Sequence, residues 1–328
     1  MRQTLTALIL ALLLSLSTAA DSWAVGDVLG VHLLSPHDLD QAKQLLSYNQ
    51  GTKYLTVPLT LSDLDQFALW QRFFDQAGQN QMVPIVRLAT KVKGDYWAKP
   101  TRWDVVRLFN FLNLLEWPSE KRYVIIFNEV NHAKEWGGQL EPEEYGRILE
   151  FASRWAKTEP FDYQVLPAAM DLDAPNSGQT MEAFTFLNRM LAYNPRVFDQ
   201  VDLWNSHSYP NPGFSSSPTR TGKNSMRGFL HELKFLKQKT GRDFEVMITE
   251  TGWQANRYTE PWLAKYYLYA AQHIWSLPQV KAVTPFVVQG SPGPFTDFSF
   301  FDESSQPTSQ FEAFQQAVQA VGDQKAEN

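Results

Sequence analysis

The chain has 328 residues, 44% hydrophobic and 14% aromatic, enough to bury a substantial core and too apolar for a disordered polymer. Its 29 basic and 35 acidic residues leave a formal net charge of −6, and the Lys and Arg are scattered, which argues against nucleic acid and anionic membrane surfaces as partners. With no Cys there are no disulfides and no lipid attachment at a thiol, so stability rests on the core.

The N-terminus comes first. Arg2, the almost wholly apolar run Leu5 to Leu16 and the small residues Ser17-Thr18-Ala19-Ala20 read as a secretory signal peptide over residues 1–20. The apolar run is short for a bilayer span, and an uncleaved anchor is the alternative. This predicts a protein secreted to the periplasm or cell exterior, with no membrane association beyond export. Residues 21–328 are expected to form one domain.

Eight strand-like runs follow, at Val28–Leu33, Tyr54–Leu59, Met82–Leu88, Tyr123–Asn128, Tyr163–Ala168, Val201–Ser206, Phe244–Thr249 and Ala282–Val288. Their starts recur roughly every 36 residues, room for a strand, a helix and two loops. Helical periodicity fills the gaps. Between Asp63 and Gly78, Leu64, Phe67, Trp70, Phe73 and Phe74 share one face, and the segments Glu141–Lys157 and Glu260–Trp275 both open on Glu-Pro. Strand and helix alternating eight times predicts an α/β fold, the (β/α)8 TIM barrel. No G-x-G-x-x-G or P-loop motif follows a strand, which removes the main support for a nucleotide-binding open sheet. Two Pro-, Ser- and Gly-rich loops, Pro210–Asn224 and Gly290–Pro307, follow strands and so lie on the C-terminal face, where barrel active sites occur.

Chemistry should therefore lie where strands end. Strand four ends in Asn128-Glu129 and strand seven leads into Glu250. Strand six continues through Asn205, His207 and Tyr209 at alternate positions, hence on one face, with Trp204 out of phase and packed under a helix. Strands one and three supply His32 and Arg87. Strands four and seven face each other across an eight-stranded ring. Two opposed carboxylates, one protonated and one ionised, are what cleavage of a glycosidic bond requires.

On these residues the chain resembles glycoside hydrolase clan A, whose barrels carry Asn-Glu at the end of strand four and Glu at the end of strand seven. The resemblance implies Glu129 as acid/base and Glu250 as nucleophile of a retaining double displacement, with Asn128 on the sugar 2-hydroxyl. It also implies that Tyr209 donates to the nucleophile and His207 helps form the subsite at the cleavage point. The segment Phe298–Gln315 is similar to the stretch closing such barrels. Two features depart from the clan's pattern. Strand two ends Pro58-Leu59-Thr60 without the Arg that often holds the nucleophile, leaving Arg87 as its candidate substitute. Where a Trp often floors the central subsite, strand eight reads Val288-Gln289-Gly290, with Phe295 the nearest aromatic downstream.

Trp136 and Trp253 follow the two Glu residues and are candidate sugar platforms, with core packing as the other reading. His32 and Arg87 are site residues or buried polar struts. Six scattered His give no metal-ligand spacing, so neither metal nor other cofactor is expected. The reading is a secreted retaining glycoside hydrolase acting on a polysaccharide or oligosaccharide, internal cleavage favoured. Its rivals are a non-catalytic carbohydrate-binding barrel and a hydrolase of another bond on the same fold.

Overall fold

The computed structural model describes residues 27–326; the segment read as a signal peptide lies outside them. Strand and helix alternate eight times. The strands are β1 (Gly30–His32), β2 (Lys53–Thr60), β3 (Met82–Ala89), β4 (Lys121–Ile126), β5 (Asp162–Pro167), β6 (Trp204–His207), β7 (Val246–Glu250) and β8 (Val280–Val283). The helices following them are α1 (Leu39–Leu45), α2 (Phe67–Gln79), α3 (Arg102–Leu114), α4 (Pro142–Ala156), α5 (Ala183–Tyr193), α6 (Gly228–Thr240), α7 (Leu263–His273) and α8 (Ser309–Ala326). No helix among the described residues is long and apolar enough to cross a membrane.

Every neighbouring pair of these eight strands is parallel. β1 to β5 form one sheet in chain order and β6 to β8 a second. The two arcs meet at both seams through single parallel bridges, Leu29 with Val283 and Asp171 with His207. The order is thus that of a (β/α)8 barrel, with continuous ladders in two arcs and isolated bridges between them. Side chains divide accordingly. Tyr54, Ile85, Tyr123, Ile125, Leu166, Leu203, Met247 and Ala282 form one buried cluster inside the ring. A larger cluster, including Val57, Trp70, Phe109, Tyr145, Phe186, Trp204 and Tyr267, fills the layer between strands and helices. Both faces of each strand are covered, which is why the strands read as near-continuous apolar runs. β1 approaches β2 closely enough that a Cβ at Gly30 would lie 1.9 Å from the Tyr54 carbonyl oxygen.

Local chemistry sets the boundaries. Thr101 and Asp104 form a reciprocal capping box at the start of α3, and Pro142, Glu143 and Glu144 open α4. The helix expected from Asp63 begins at Phe67 instead, because the Asp63 carboxylate accepts from Thr60 N and Thr60 Oγ1, both at 2.7 Å, closing a turn at the end of β2. The Glu260–Trp275 segment splits into a 3-10 turn (Glu260–Trp262) and α7. Strand eight is the largest correction. Its ladder stops at Val283, two residues before Pro285, which has no N–H to donate. The expected end at Val288 is therefore replaced by an irregular segment that carries Phe286.

Candidate active site

Two local irregularities aim the carboxylates. In a regular strand Thr249 and Glu250 would face opposite sides. The ladder between β6 and β7 pairs Ser206 with Ile248 but His207 with Glu250, so Thr249 is an extra residue. Such a bulge re-aims the side chains around it. Thr249 Oγ1 donates to Asn205 Oδ1 at 2.6 Å inside the ring, while Glu250 turns toward Arg87 and Tyr209. Beyond β4, Phe127 and Glu129 adopt φ of 69° and 28°, conformations uncommon for side-chain-bearing residues. This left-handed backbone breaks the strand's alternation, so that Asn128 and Glu129 both enter the polar cluster at the mouth. Each such residue costs about 1–2 kcal/mol, a strain typical of functional sites.

Glu250 is held from four sides. Arg87 Nη1 donates to Oε1 at 2.6 Å and the Tyr209 hydroxyl donates to Oε2 at 3.1 Å. His207 Nδ1 lies 3.5 Å from Oε2, and His32 Nδ1 lies 3.8 Å from Oε1 while contacting the Thr249 carbonyl at 3.0 Å. Burial alone would push the Glu250 carboxyl up. Its neighbours, His207 first, then His32 and Arg87, hold it well below the ordinary carboxylate range. Burial brings the His32 imidazole down to about 4, so His32 is uncharged near neutrality, and Arg87 is the permanent cation facing Glu250. His207 goes the other way. Burial lowers it, but Glu250 and Glu129 outweigh burial and raise it. Burial and the two carboxylates push the Tyr209 hydroxyl far up, so it remains a donor.

Glu129 faces this group. His207 Nδ1 lies 2.9 Å from Glu129 Oε1, and the ligand atoms of Glu129, His207 and Glu250 all lie within 4.8 Å of one another. Among the described residues this trio alone brings such donor atoms together closely enough for a cation, yet the Arg87 guanidinium already neutralises Glu250 there. Arg87 Nη1 also donates to Asn128 Oδ1 at 2.9 Å. That fixes the Asn128 amide, whose NH2 side serves the Glu135 carboxylate.

The structure thus brings together Glu129, Glu250, Asn128, Arg87, His32, His207 and Tyr209. Two sequence candidates do not join them. Trp136 is fully buried and packs edge-on against Phe127 and Tyr145. Trp253 is also fully buried, packs against Tyr266 and Tyr267, and spends its indole N–H on the Ser216 carbonyl at 2.8 Å. Neither exposes a ring face for a sugar; both are core.

Three features were missed in the sequence. Phe286, 7% exposed, lies edge-on to His32 with centroids 5.1 Å apart and belongs to a cluster with Phe298 and Tyr209. It is the aromatic at the end of strand eight, two residues before the position expected to lack one. Asp171, beyond β5, pairs with His132 Nε2 at 2.8 Å, while its backbone is tied to Asn131. Burial and Glu129 raise the carboxyl of Glu135, on the turn after β4, to about 7. No spacing in the sequence announces Asp171 or Glu135, because their partners come from other segments or from the fold of the loop itself.

No protein-family profile and no curated protein matches the chain in sequence. Solved structures do match. An endo-β-1,4-glucanase from Xanthomonas axonopodis pv. citri aligns over 90% of this chain and 99% of its own, with TM-score 0.55 and 11% identity. Xylanase 10B from Thermotoga petrophila RKU-1 aligns over 92% and 95%, with TM-score 0.57 and 14% identity. A glucosidase from Croceicoccus marinus aligns over 90% and 66%, with TM-score 0.63 and 13% identity. The chain is similar in fold to these glucanase, xylanase and glucosidase structures.

Proposed function

We propose that the protein is a retaining glycoside hydrolase that cleaves β-glycosidic bonds of a polysaccharide or oligosaccharide. One observation carries the reading: Glu129 and Glu250, from the ends of β4 and β7, bring carboxylate oxygens within 4.8 Å of each other. Retaining enzymes hold their carboxyl groups about 5–5.5 Å apart, whereas inverting ones leave about 6.5–9.5 Å for a water. In this reading Glu129 protonates the leaving oxygen while Glu250 attacks the anomeric carbon. Water, activated by the now ionised Glu129, then releases the glycosyl-enzyme. Arg87 and Tyr209 keep Glu250 ionised and aimed. Asn128, its carbonyl taken by Arg87 and one N–H serving Glu135, has its second N–H to offer the sugar 2-hydroxyl, a contact that strengthens in the transition state.

The relatives in fold support a glycan substrate. The Thermotoga xylanase was crystallised with xylobiose and a further structural neighbour, XacCel5A, with cellopentaose. Internal cleavage and export from the cytoplasm complete the proposal. Glu250→Ala should abolish reducing-end release across a panel of mannans, glucans, xylans and galactans while folding and glycan binding persist. A 2-fluoro-glycoside should label Glu250, and labelling elsewhere overturns the assignment of the nucleophile. A wild-type protein that binds a glycan of the panel but hydrolyses none is a carbohydrate-binding barrel instead.

A further inference from the structure

A carboxylate with no part in that chemistry lies behind β6, on the helix side of the ring. Glu232, on α6, is fully buried. A buried carboxylate is costly unless its oxygens are satisfied, and both are. Trp204 Nε1 donates to Oε1 at 3.0 Å, and the Ser206 hydroxyl donates to Oε2 in a short bond. Ser206 Oγ lies 2.8 Å from Ser208 Oγ, which accepts from Phe229 N at 3.0 Å. The Ser208 carbonyl accepts from Thr251 Oγ1 at 2.7 Å.

The order of these residues gives the network its meaning. Ser206 and Ser208 flank His207, and Thr251 follows Glu250. The ladder changes register between Ser206 and His207, where Thr249 is accommodated as the extra residue. Burial raises the Glu232 carboxyl to about 7, and the direction of the row is set by Ser206, whose single hydroxyl hydrogen goes to Glu232 and which therefore accepts from Ser208. Ser206 donates to Glu232, Ser208 to Ser206, and Phe229 N–H to Ser208. Both serine side chains are thereby fastened on the outer face while His207 projects inward to Glu129 and Glu250.

We infer that Glu232 is a positioning residue, acting through Ser206 and Ser208 to hold His207 between the two carboxylates at the β6–β7 bulge. The inference rests on the proposed hydrolase reading for its catalytic consequence, not for its geometry.

A double-mutant cycle tests it. Glu232→Gln keeps the shape and one acceptor but cannot accept at both ends. It should lower kcat roughly tenfold, about the worth of one hydrogen bond, with KM nearly unchanged. In a His207→Ala background the same substitution should change kcat little further. An equal loss in both backgrounds, or a fall in melting temperature with kcat intact, assigns Glu232 to stability alone and overturns the inference. Crystal structures supply a readout without activity. In Glu232→Leu, or in Ser208→Ala where the former does not fold, His207 Nδ1 should leave its 2.9 Å contact with Glu129. An unmoved His207 overturns the positioning role. If the wild type hydrolyses no glycan, the hydrolase reading fails while this comparison still decides the geometry.

Discussion

Arg87→Met removes the one permanent cation in contact with Glu250 while keeping a long apolar stem. Arg87 and Glu250 are 2.6 Å apart, with side chains only 13% and 10% exposed. At an effective dielectric near 20, opposite unit charges about 4 Å apart attract by about 4 kcal/mol. A charge-assisted hydrogen bond is worth about 1.5–3 kcal/mol net. Since about 1.4 kcal/mol corresponds to one pH unit, the Glu250 carboxyl should titrate roughly 1–2 units higher in the variant. The sign follows from the direction of the shift. Glu250 is held low in the fold, so its contribution to stability is present above the ordinary glutamate range and lost as the pH falls through the folded value. Without the guanidinium that loss begins at higher pH. The acid limb of kcat/KM on an activated aryl β-glycoside should move up accordingly, and a 13C titration of Glu250 should follow it. Breaking a nearly buried pair should also cost about 3–5 kcal/mol at neutral pH, a gap that narrows in acid as the variant's carboxyl is protonated. An acid limb that stays in place or moves down refutes the reasoning.

Tyr209→Phe deletes the hydroxyl that donates to Glu250 at 3.1 Å and should cost roughly tenfold in kcat, with a melting temperature close to wild type; unchanged kcat removes Tyr209 from the site. Trp253→Ala and Trp136→Ala should each cost about 3–5 kcal/mol in denaturant unfolding, because both rings are core. A rise in KM with an unchanged unfolding midpoint would instead restore them as platforms. His207 is raised against the pull of burial by Glu250 and Glu129, so its contribution to stability is present below the ordinary histidine range and fades as the pH rises through its folded value. His207→Asn should flatten that alkaline decline in a pH series of melting temperatures, and a decline of equal steepness counts against the shift.

The fold was legible because each strand is covered on both faces. A run such as Tyr123–Phe127 is apolar throughout, and the gap to the next run holds one helix with an apolar stripe. What blurred was the end of each element. Asp63 read as helix because it precedes a periodic pattern, yet its carboxylate is committed to Thr60. Ala282–Val288 read as strand because it is apolar, although Pro285 interrupts it and Thr284 donates to the Thr249 carbonyl at 2.9 Å and meets Thr56 at 2.7 Å. Composition reports burial, and burial continues past the point where the ladder stops.

The site was legible to the degree that it follows from strand ends. Asn128, Glu129, His207, Tyr209 and Glu250 stand at ends that the eightfold pattern had already located, and Arg87 reaches the mouth by ordinary alternation along β3. The bulge at Thr249 and the left-handed residues at Phe127 and Glu129 were not legible, since both break the two-residue period that sequence reading assumes. These same breaks bring the two carboxylates together. A strictly periodic β7 with Thr249 inside would send Glu250 toward the helices, as Ile248 is sent, and Arg87 would face an empty place. The tryptophans fail for the complementary reason. Trp136 and Trp253 were placed by proximity in sequence to the two Glu residues, but the loops carrying them turn back at once, and an indole at that turn finds helices α4 and α7 rather than the mouth. Phe286 succeeds where they do not because it follows a strand that has already ended, so its ring meets His32 from inside the ring of strands.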